Sequence, residues 1–343
     1  MSQITPQATF PVTGAFNTAT PYSGTFIPAL WSGKLNAKFY NATVFGEIAN
    51  TAWEGEISGL GDTVVINNIP TISIQPYQAG TNLTYQVPTP NTITMVVDQG
   101  QYFAFQVNDL LAMQSKPALV DVFTDDAAMQ MKVKIDGQVI YNVLFNSSYN
   151  TNSAGVSFLN GPNQGTNAGV NSGAYNLGTN SAPVTLTAAN VLSVITSLSA
   201  VLDEQNVPET DRWLLIDPTT RQVLMNSNLA QAQFMGDSES AVRNGKIGMI
   251  DRFMVYVTNN LPRGAAGQYF ASSDGLLGGG ALAGAVKRRA LIAGHKTAIT
   301  FASQMTKIET VRNPNDFGDY IRGLNVYGQR LVKGEAVALA VVQ

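Results

Sequence analysis

The chain has 343 residues, 45% of them apolar, enough for roughly two domains of about 150 residues with a real core. Only 13% are charged, against roughly 25% in an average soluble protein; the centres of protein interfaces share this depletion, so composition points to an assembled state or to a polar β-protein. A net charge of −3, no cysteine and one histidine exclude general nucleic-acid binding, disulfide staples, thiolate metal sites and multi-histidine metal centres.

The N-terminus, Met1-Ser2-Gln3-Ile4-Thr5-Pro6, has neither a basic region nor an apolar run, and eighteen consecutive apolar residues occur nowhere, so neither export nor membrane insertion is expected. The first thirty residues, aperiodic and rich in Thr, Pro, Gly and aromatics, read as an extended arm that needs a surface to lie on. From Phe39 to Ser115 there is no Lys or Arg, while Glu47, Glu54, Glu56, Asp62, Asp98 and Asp109 remain. Within that acidic stretch Thr63 to Asn67 and Thr71 to Tyr77 are β-rich, Ala79-Gly80-Thr81-Asn82 supplies a turn, and Leu83 to Val87 and Thr92 to Val97 return, which predicts a long β-ribbon. Pro70, Pro76, Pro88 and Pro90 confine its strands to edges or break them. Such a ribbon packs no core of its own and must dock on its own domain or on a neighbouring subunit.

A helix is predicted from Pro117, with Leu119, Val122, Phe123, Met129, Val133, Ile140, Val143 and Leu144 at a repeat of about 3.5 to 3.6 and Gly137 as a local weak point. Its roughly 28 residues span on the order of 40 Å. Asn146 to Pro183, dominated by Asn, Gly and Ser, reads as a long loop or insertion. Thr187 is the expected cap of a helix carrying Val191, Val194, Ile195, Leu198, Val201 and Leu202 on one face; a strand follows at Trp213 to Ile216, and Asp217 caps a second helix with Pro218 at its first position. Strands are expected over Gly245 to Val257, Ala298 to Val311, Leu324 to Val332 and, buried, Ala336 to Val342, with Gly278-Gly279-Gly280 as a flexible loop.

Catalytic chemistry is scarce. His295, in Gly294-His295-Lys296, offers the single candidate for a Ser/His/Asp triad and fits a structural role better. Gly278-Gly279-Gly280 lacks the Lys-Ser/Thr end of a phosphate loop, and Asp125 with Asp126 or Asp203 with Glu204 are adjacent on helices and share no site. Lys287, Arg288 and Arg289 form the one basic cluster, and Trp31, Trp53 and Trp213 are scattered packing anchors. No catalytic, cofactor or metal residues are assigned; a soluble α/β enzyme is the remote alternative.

Several segments in order resemble the major capsid proteins of tailed bacteriophages, of the Hong Kong 97-type capsid fold shared with encapsulins and the herpesvirus capsid floor. The ribbon before the long helix resembles that family's extended loop and spine helix, and Leu202-Asp203-Glu204-Gln205-Asn206-Val207-Pro208 to Arg212-Trp213-Leu214 resembles its axial-domain helix and strand. Gly245 to Pro262, Ala293 to Ile299, and Lys307-Ile308-Glu309 with Arg312, Phe317 to Leu324 and Val326-Tyr327-Gly328 are similar to further recurrent stretches, so the likeness spans nearly the whole chain. Arg252 departs from it where Gly is expected before Phe253, and the 146–183 stretch is longer than typical.

The resemblance implies an α+β capsid fold with an N-terminal arm (1–40), an extended β-hairpin loop (41–110), a peripheral domain with spine helix and insertion (111–185), an axial domain (186–296) and peripheral strands returning to the axial domain (297–343). It implies a non-enzymatic subunit that assembles as pentamers and hexamers into an icosahedral shell around DNA in a virion built in the host cytoplasm. Portal and decoration proteins are implied partners, and a separate scaffolding protein is expected because arm and ribbon begin almost at Met1. An encapsulin-like compartment enclosing enzymes is the alternative. Lysine-mediated crosslinking of the ribbon is not expected, because the ribbon has no Lys. Expected subunit-interface residues are Glu54, Glu56, Asp62, Tyr77 and Tyr85 on the ribbon, meeting a basic strip of Arg312, Arg322 and Arg330 on a neighbour.

Overall fold

The computed structural model describes residues 43–52, 63–68, 70, 72–80, 82–88, 91–108, 119–145, 175–178, 182–227, 248–264, 288–314 and 317–343. Three sheets organise them. Strands β1 (Thr63–Asn68) and β2 (Asn91–Val96) form an antiparallel ribbon. β3 (Gln99–Asn108), β10 (Gly318–Leu331) and β9 (Ile299–Arg312) form an antiparallel sheet in that order. A six-stranded sheet runs β11 (Val337–Val342), β8 (Arg288–His295), β4 (Arg212–Ile216), β6 (Phe253–Val257), β5 (Met249–Ile250), with β7 (Arg263–Gly264) also on β8. The helices are α1 (Phe45–Ile48), α2 (Leu119–Phe145), α3 (Val191–Glu204) and α4 (Pro218–Met225).

The long helix forms as expected, at 27 residues, and runs through Gly137 without a break. Its C-terminal half buries Val133, Ile135, Val139, Ile140, Val143 and Leu144, whereas Val122, Phe123 and Met129 of the first half stay partly exposed. The apolar repeat read along its whole length is therefore used as core only where the main body lies beneath it.

α3 buries Val191, Val194, Ile195, Leu198, Val201 and Leu202, packing on β11 and β8. It starts at Val191 with Asn190 at the N-cap, not at Thr187, because the Asn190 side chain folds back to accept the Thr187 N–H at 2.7 Å and the turn at 188–190 precedes the helix. Its end is a Schellman turn: Asn206 sits at φ 57°, Val207 N–H donates to Leu202 O and Asn206 N–H to Asp203 O, both at 3.0 Å. Asp217 caps α4 as expected, accepting the Thr220 N–H at 3.0 Å with Pro218 in the first turn.

β4, β8 and β11 are buried at almost every position, so the main core lies between this sheet and α3 and extends to the C-terminal half of α2 and the near ends of β9 and β10. Within it Gly294 is irreplaceable: a Cβ there would stand 2.5 Å from the Trp213 ring, so the indole lies directly on the backbone of β8.

One expectation needs correction, and two features are new. The single strand over Gly245 to Val257 is instead, among described residues, two strands, β5 and β6, turned at Asp251, whose φ of 54° no continuous strand permits. β3 and β8 are strands the sequence did not announce. Of the basic cluster, Arg288 is buried and Arg289 pairs with Asp217 at 3.4 Å.

Candidate functional site

The ribbon divides into a docked stem and a bare tip. In the stem, alternation places Val64, Ile66, Ile93, Met95 and Val97 on one face, where with Ala302 and Val326 they form a second, smaller core against the β9–β10 sheet. The expectation that the ribbon packs no core thus holds for the tip and fails for the stem. Close docking depends on Gly328 in β10: a Cβ there would lie 2.7 Å from Val96 O and 3.1 Å from Val97 Cα.

Beyond the stem, 72–78 and 82–88 form no ladder, which corrects the expectation of strands throughout; Pro76 and Pro88 remove donors from these arms. The arms are held together instead by Gln86, whose amide accepts the Ser73 N–H at 3.2 Å, donates to Ser73 O at 3.3 Å and bonds the Ser73 hydroxyl, doing locally what a ladder would do. The chain reverses at Ala79-Gly80, with Gly80 at φ 89°.

The tip bares its large apolar side chains: Ile74 is 91% exposed, Val87 88%, Tyr85 86% and Tyr77 77%, with Leu83 and Ile72 above half. Large apolar side chains bared together on one short segment are what an interaction surface offers. Residues 63–97 contain no Asp, Glu, Lys or Arg at all, so this surface is neutral, not acidic. Glu54, Glu56 and Asp62, which gave the ribbon its acidic reading, lie outside the described residues, as do Trp31, Trp53, Gly278-Gly279-Gly280, the whole arm and most of the insertion.

A second apolar surface lies on the three-stranded sheet. α2 covers one face, where Phe123 meets Phe105 edge-on at 6.0 Å and Gln138 accepts from Gln101 at 2.8 Å and from the Tyr327 hydroxyl at 2.6 Å. On the other face Tyr102 (78% exposed), Leu324, Tyr320 and Val311 are uncovered, in register as Leu324 opposite Tyr102 and Tyr320 opposite Val311. Arg322 crosses this face to Glu309, with Nε at 2.9 Å and Nη2 at 2.6 Å from one carboxylate oxygen. Arg312 pairs with Asp319 at 3.2 Å. Arg330 is half-buried opposite Thr300, and burial holds its guanidinium below the usual arginine range. The expected basic strip thus splits: two of its arginines share one sheet with acidic partners already in place, and the third turns inward.

At the far side, Arg212 has its side chain fully buried, donating to Val207 O at 2.6 Å and Pro208 O at 2.8 Å while pairing with Asp203 at 2.8 Å. Arg252 joins the same Asp203 at 3.0 Å and Glu209 at 3.1 Å. His295 is buried; its Nδ1 accepts the Thr297 N–H at 3.2 Å and bonds the Thr297 hydroxyl at 2.8 Å, and desolvation lowers its pKa, a structural arrangement. No helix among the described residues is long and apolar enough to cross a membrane.

No family model matches the sequence, and no curated protein is similar to it in sequence. The likeness lies in three dimensions. A chain of Mycobacterium phage Che8 matches with a TM-score of 0.67 at 22% identity, over 93% of this chain and 97% of that chain. The capsid of cyanophage P-SCSP1u matches at 0.63 with 14% identity, over 95% and 99%, and the capsid of Ralstonia phage GP4 at 0.59 with 13% identity, over 95% and 97%. The molecule is an α+β protein with the fold of phage capsid chains, matched from end to end rather than in a single module.

Proposed function

We propose that this chain is the major capsid protein of a tailed double-stranded DNA bacteriophage: a structural subunit that assembles as pentamers and hexamers into an icosahedral shell, located in the virion capsid. The observation that carries the reading is the bare, charge-free tip on a chain with a phage capsid fold. Six large apolar side chains in water are an unfavourable arrangement for a lone subunit, and a neighbouring copy relieves it.

In this reading the six-stranded sheet with α3 and α4 is the axial domain that surrounds a local symmetry axis. The three-stranded sheet with α2 is the peripheral domain, and the ribbon is the extended loop. Tyr77 and Tyr85 lie at the centre of the ribbon contact, since tyrosine supplies large area at small entropic cost. The neutral tip meets a neighbour's apolar sheet face around Tyr102 and Leu324, with Arg322 and Arg312 at the rim; Glu54, Glu56, Asp62 and Arg330 complete the interface set. Obligate interfaces of this type bury about 2,000 to 5,000 Å². The shell encloses DNA without sequence-specific contacts, and a separate scaffolding protein, a portal and decoration proteins act with it in the host cytoplasm.

Negative-stain microscopy of the concentrated full-length protein tests this. Uniform shells or capsomer sheets are expected, and the double variant Ile74→Asp, Tyr85→Asp is expected to remain a folded, unassembled subunit with an unchanged unfolding midpoint. A wild-type chain that stays monomeric at high concentration, or a variant that assembles as well as the parent, overturns the proposal.

A further inference from the structure

We infer that Asp136 is a latch coupling the root of the ribbon to the loop that leaves β6, so that the two segments hold or release each other. This goes beyond the shell reading and does not depend on it. α1 begins the segment that leads to the ribbon, and its N-cap is Val44, which has no side-chain oxygen to satisfy the first backbone N–H groups. Asp136, in the second half of α2, supplies the missing acceptor: its Oδ1 takes the N–H of Val44 and of Phe45, both at 2.8 Å. Its Oδ2 takes the side-chain amide of Asn260 at 2.6 Å.

The carboxylate is fully buried. A buried acid on an apolar helix face is costly unless donors surround it, and here all three recorded contacts are donors from two chain segments that do not otherwise meet in sequence. Each donor lowers the cost of the charge for the others. Removing the Asn260 amide leaves the carboxylate poorly satisfied and weakens its hold on Val44 and Phe45; freeing Val44 and Phe45 weakens its hold on Asn260. The root is also pinned by Asn50, whose N–H donates to Ile299 O at 2.8 Å and whose O accepts the Phe301 N–H at 3.1 Å, so the latch adjusts a segment that remains attached. On the other side the 258–262 loop continues directly from β6 of the large sheet. One carboxylate on one helix therefore joins the ribbon root to the six-stranded sheet.

Amide hydrogen exchange of the full-length, unassembled protein tests the coupling, read on peptides covering 44–49 and 258–262. Asn260→Ala is expected to speed exchange at 44–49 by roughly tenfold or more, although that segment is untouched by the substitution. Asp136→Leu is expected to speed both segments. The reversed pair, Asp136→Asn with Asn260→Asp, keeps an oxygen for Val44 and Phe45 and restores a donor–acceptor contact with residue 260, so slow exchange returns at both. An Asn260→Ala protein that exchanges faster only at 258–262 overturns the inference, as does a reversed pair as fast at both segments as Asp136→Leu. Should Asp136→Leu fail to fold, the Asn260→Ala result decides alone.

Discussion

Gly328→Ala isolates the docking of the ribbon stem. The added methyl would lie 2.7 Å from Val96 O and 3.1 Å from both Val97 Cα and Val97 Cγ2. Two of those three atoms are backbone, so a rotamer change cannot absorb the clash and the stem itself has to lift. Overpacking of this kind costs about 1 to 3 kcal/mol. The upper bound is set by what lifting exposes. The stem contributes Val64, Ile66, Ile93, Met95 and Val97 to the small core, and each such side chain is worth roughly 1.5 to 3 kcal/mol when fully buried. Partial lifting is therefore cheaper than losing the contact, and the cost should fall within the overpacking range. An opening free energy smaller by that amount speeds exchange of the stem amides, 63–68 and 91–97, by about 5- to 150-fold. The main core should be unaffected, since its residues are not shared with the stem cluster. Gly100→Ala is the control on the same sheet, because its Cβ would meet nothing closer than 3.9 Å. If Gly328→Ala exchanges at the stem no faster than Gly100→Ala, the close approach is not what fixes the ribbon.

Three further outcomes follow from the charged groups. Burial alone would push Asp217 up, but the Thr220 hydroxyl, Arg289 and the backbone N–H of Thr220 outweigh it and hold its pKa below the ordinary carboxylate value. A depressed folded pKa stabilises above the unfolded value of about 3.9 and loses that contribution as pH falls through the folded pKa, so wild-type urea midpoints should drop below about pH 4 more steeply than those of Asp217→Asn. Asp136 works in the opposite direction: burial raises its pKa above the ordinary carboxylate value despite its hydrogen bonds, so its contribution is full below the unfolded value and declines as pH rises through the raised one. Arg252→Gly, which installs the residue the capsid resemblance leads one to expect, breaks two partly exposed pairs and should cost less than about 1 kcal/mol, with the difference shrinking in high salt; a larger, salt-independent loss in urea unfolding would refute a surface role.

What was legible in the sequence is what is decided locally. The long helix, the Asp217-Pro218 start of α4 and the apolar run of β11 each carry their own signal, and each stands where expected. β8 was hidden because it opens on Arg288-Arg289, which reads as a solvated cluster until Asp217, 72 residues earlier in the chain, is seen to pair with Arg289. β3 was hidden by Gly100 and its three glutamines, and by lying inside a stretch whose ribbon pattern had already absorbed the β-propensity. The stem's dependence on Gly328 has no local signature either, since the clash it avoids is with residues more than two hundred positions away. Asp136 did leave a trace: at spacings of three and four it falls between Val133 and Ile140 on the buried stripe of α2. A charge on the apolar face of a helix signals a buried partner set, and its donors lie 91, 92 and 124 residues distant.

The separation of the two cores has a consequence for how stability and assembly divide between parts of the chain. The main core closes around α3, β4, β8 and β11 without help from the ribbon, and the tip contributes no residue to either core. Changes at Tyr77, Tyr85 or Ile74 therefore remove nothing that holds the subunit together, and surface substitutions of that kind typically move stability by no more than about 0.5 kcal/mol. The stem lies between these regimes, since its small core fixes the direction in which the tip projects while adding little to the body beneath. A subunit built this way can keep its fold while its ribbon is repositioned, because moving the stem disturbs five ribbon side chains and leaves the larger core intact. In the proposed shell, contacts between copies would select among ribbon positions without reopening the fold, and the neutral tip, carrying no charge from 63 to 97, imposes no electrostatic penalty on any of them.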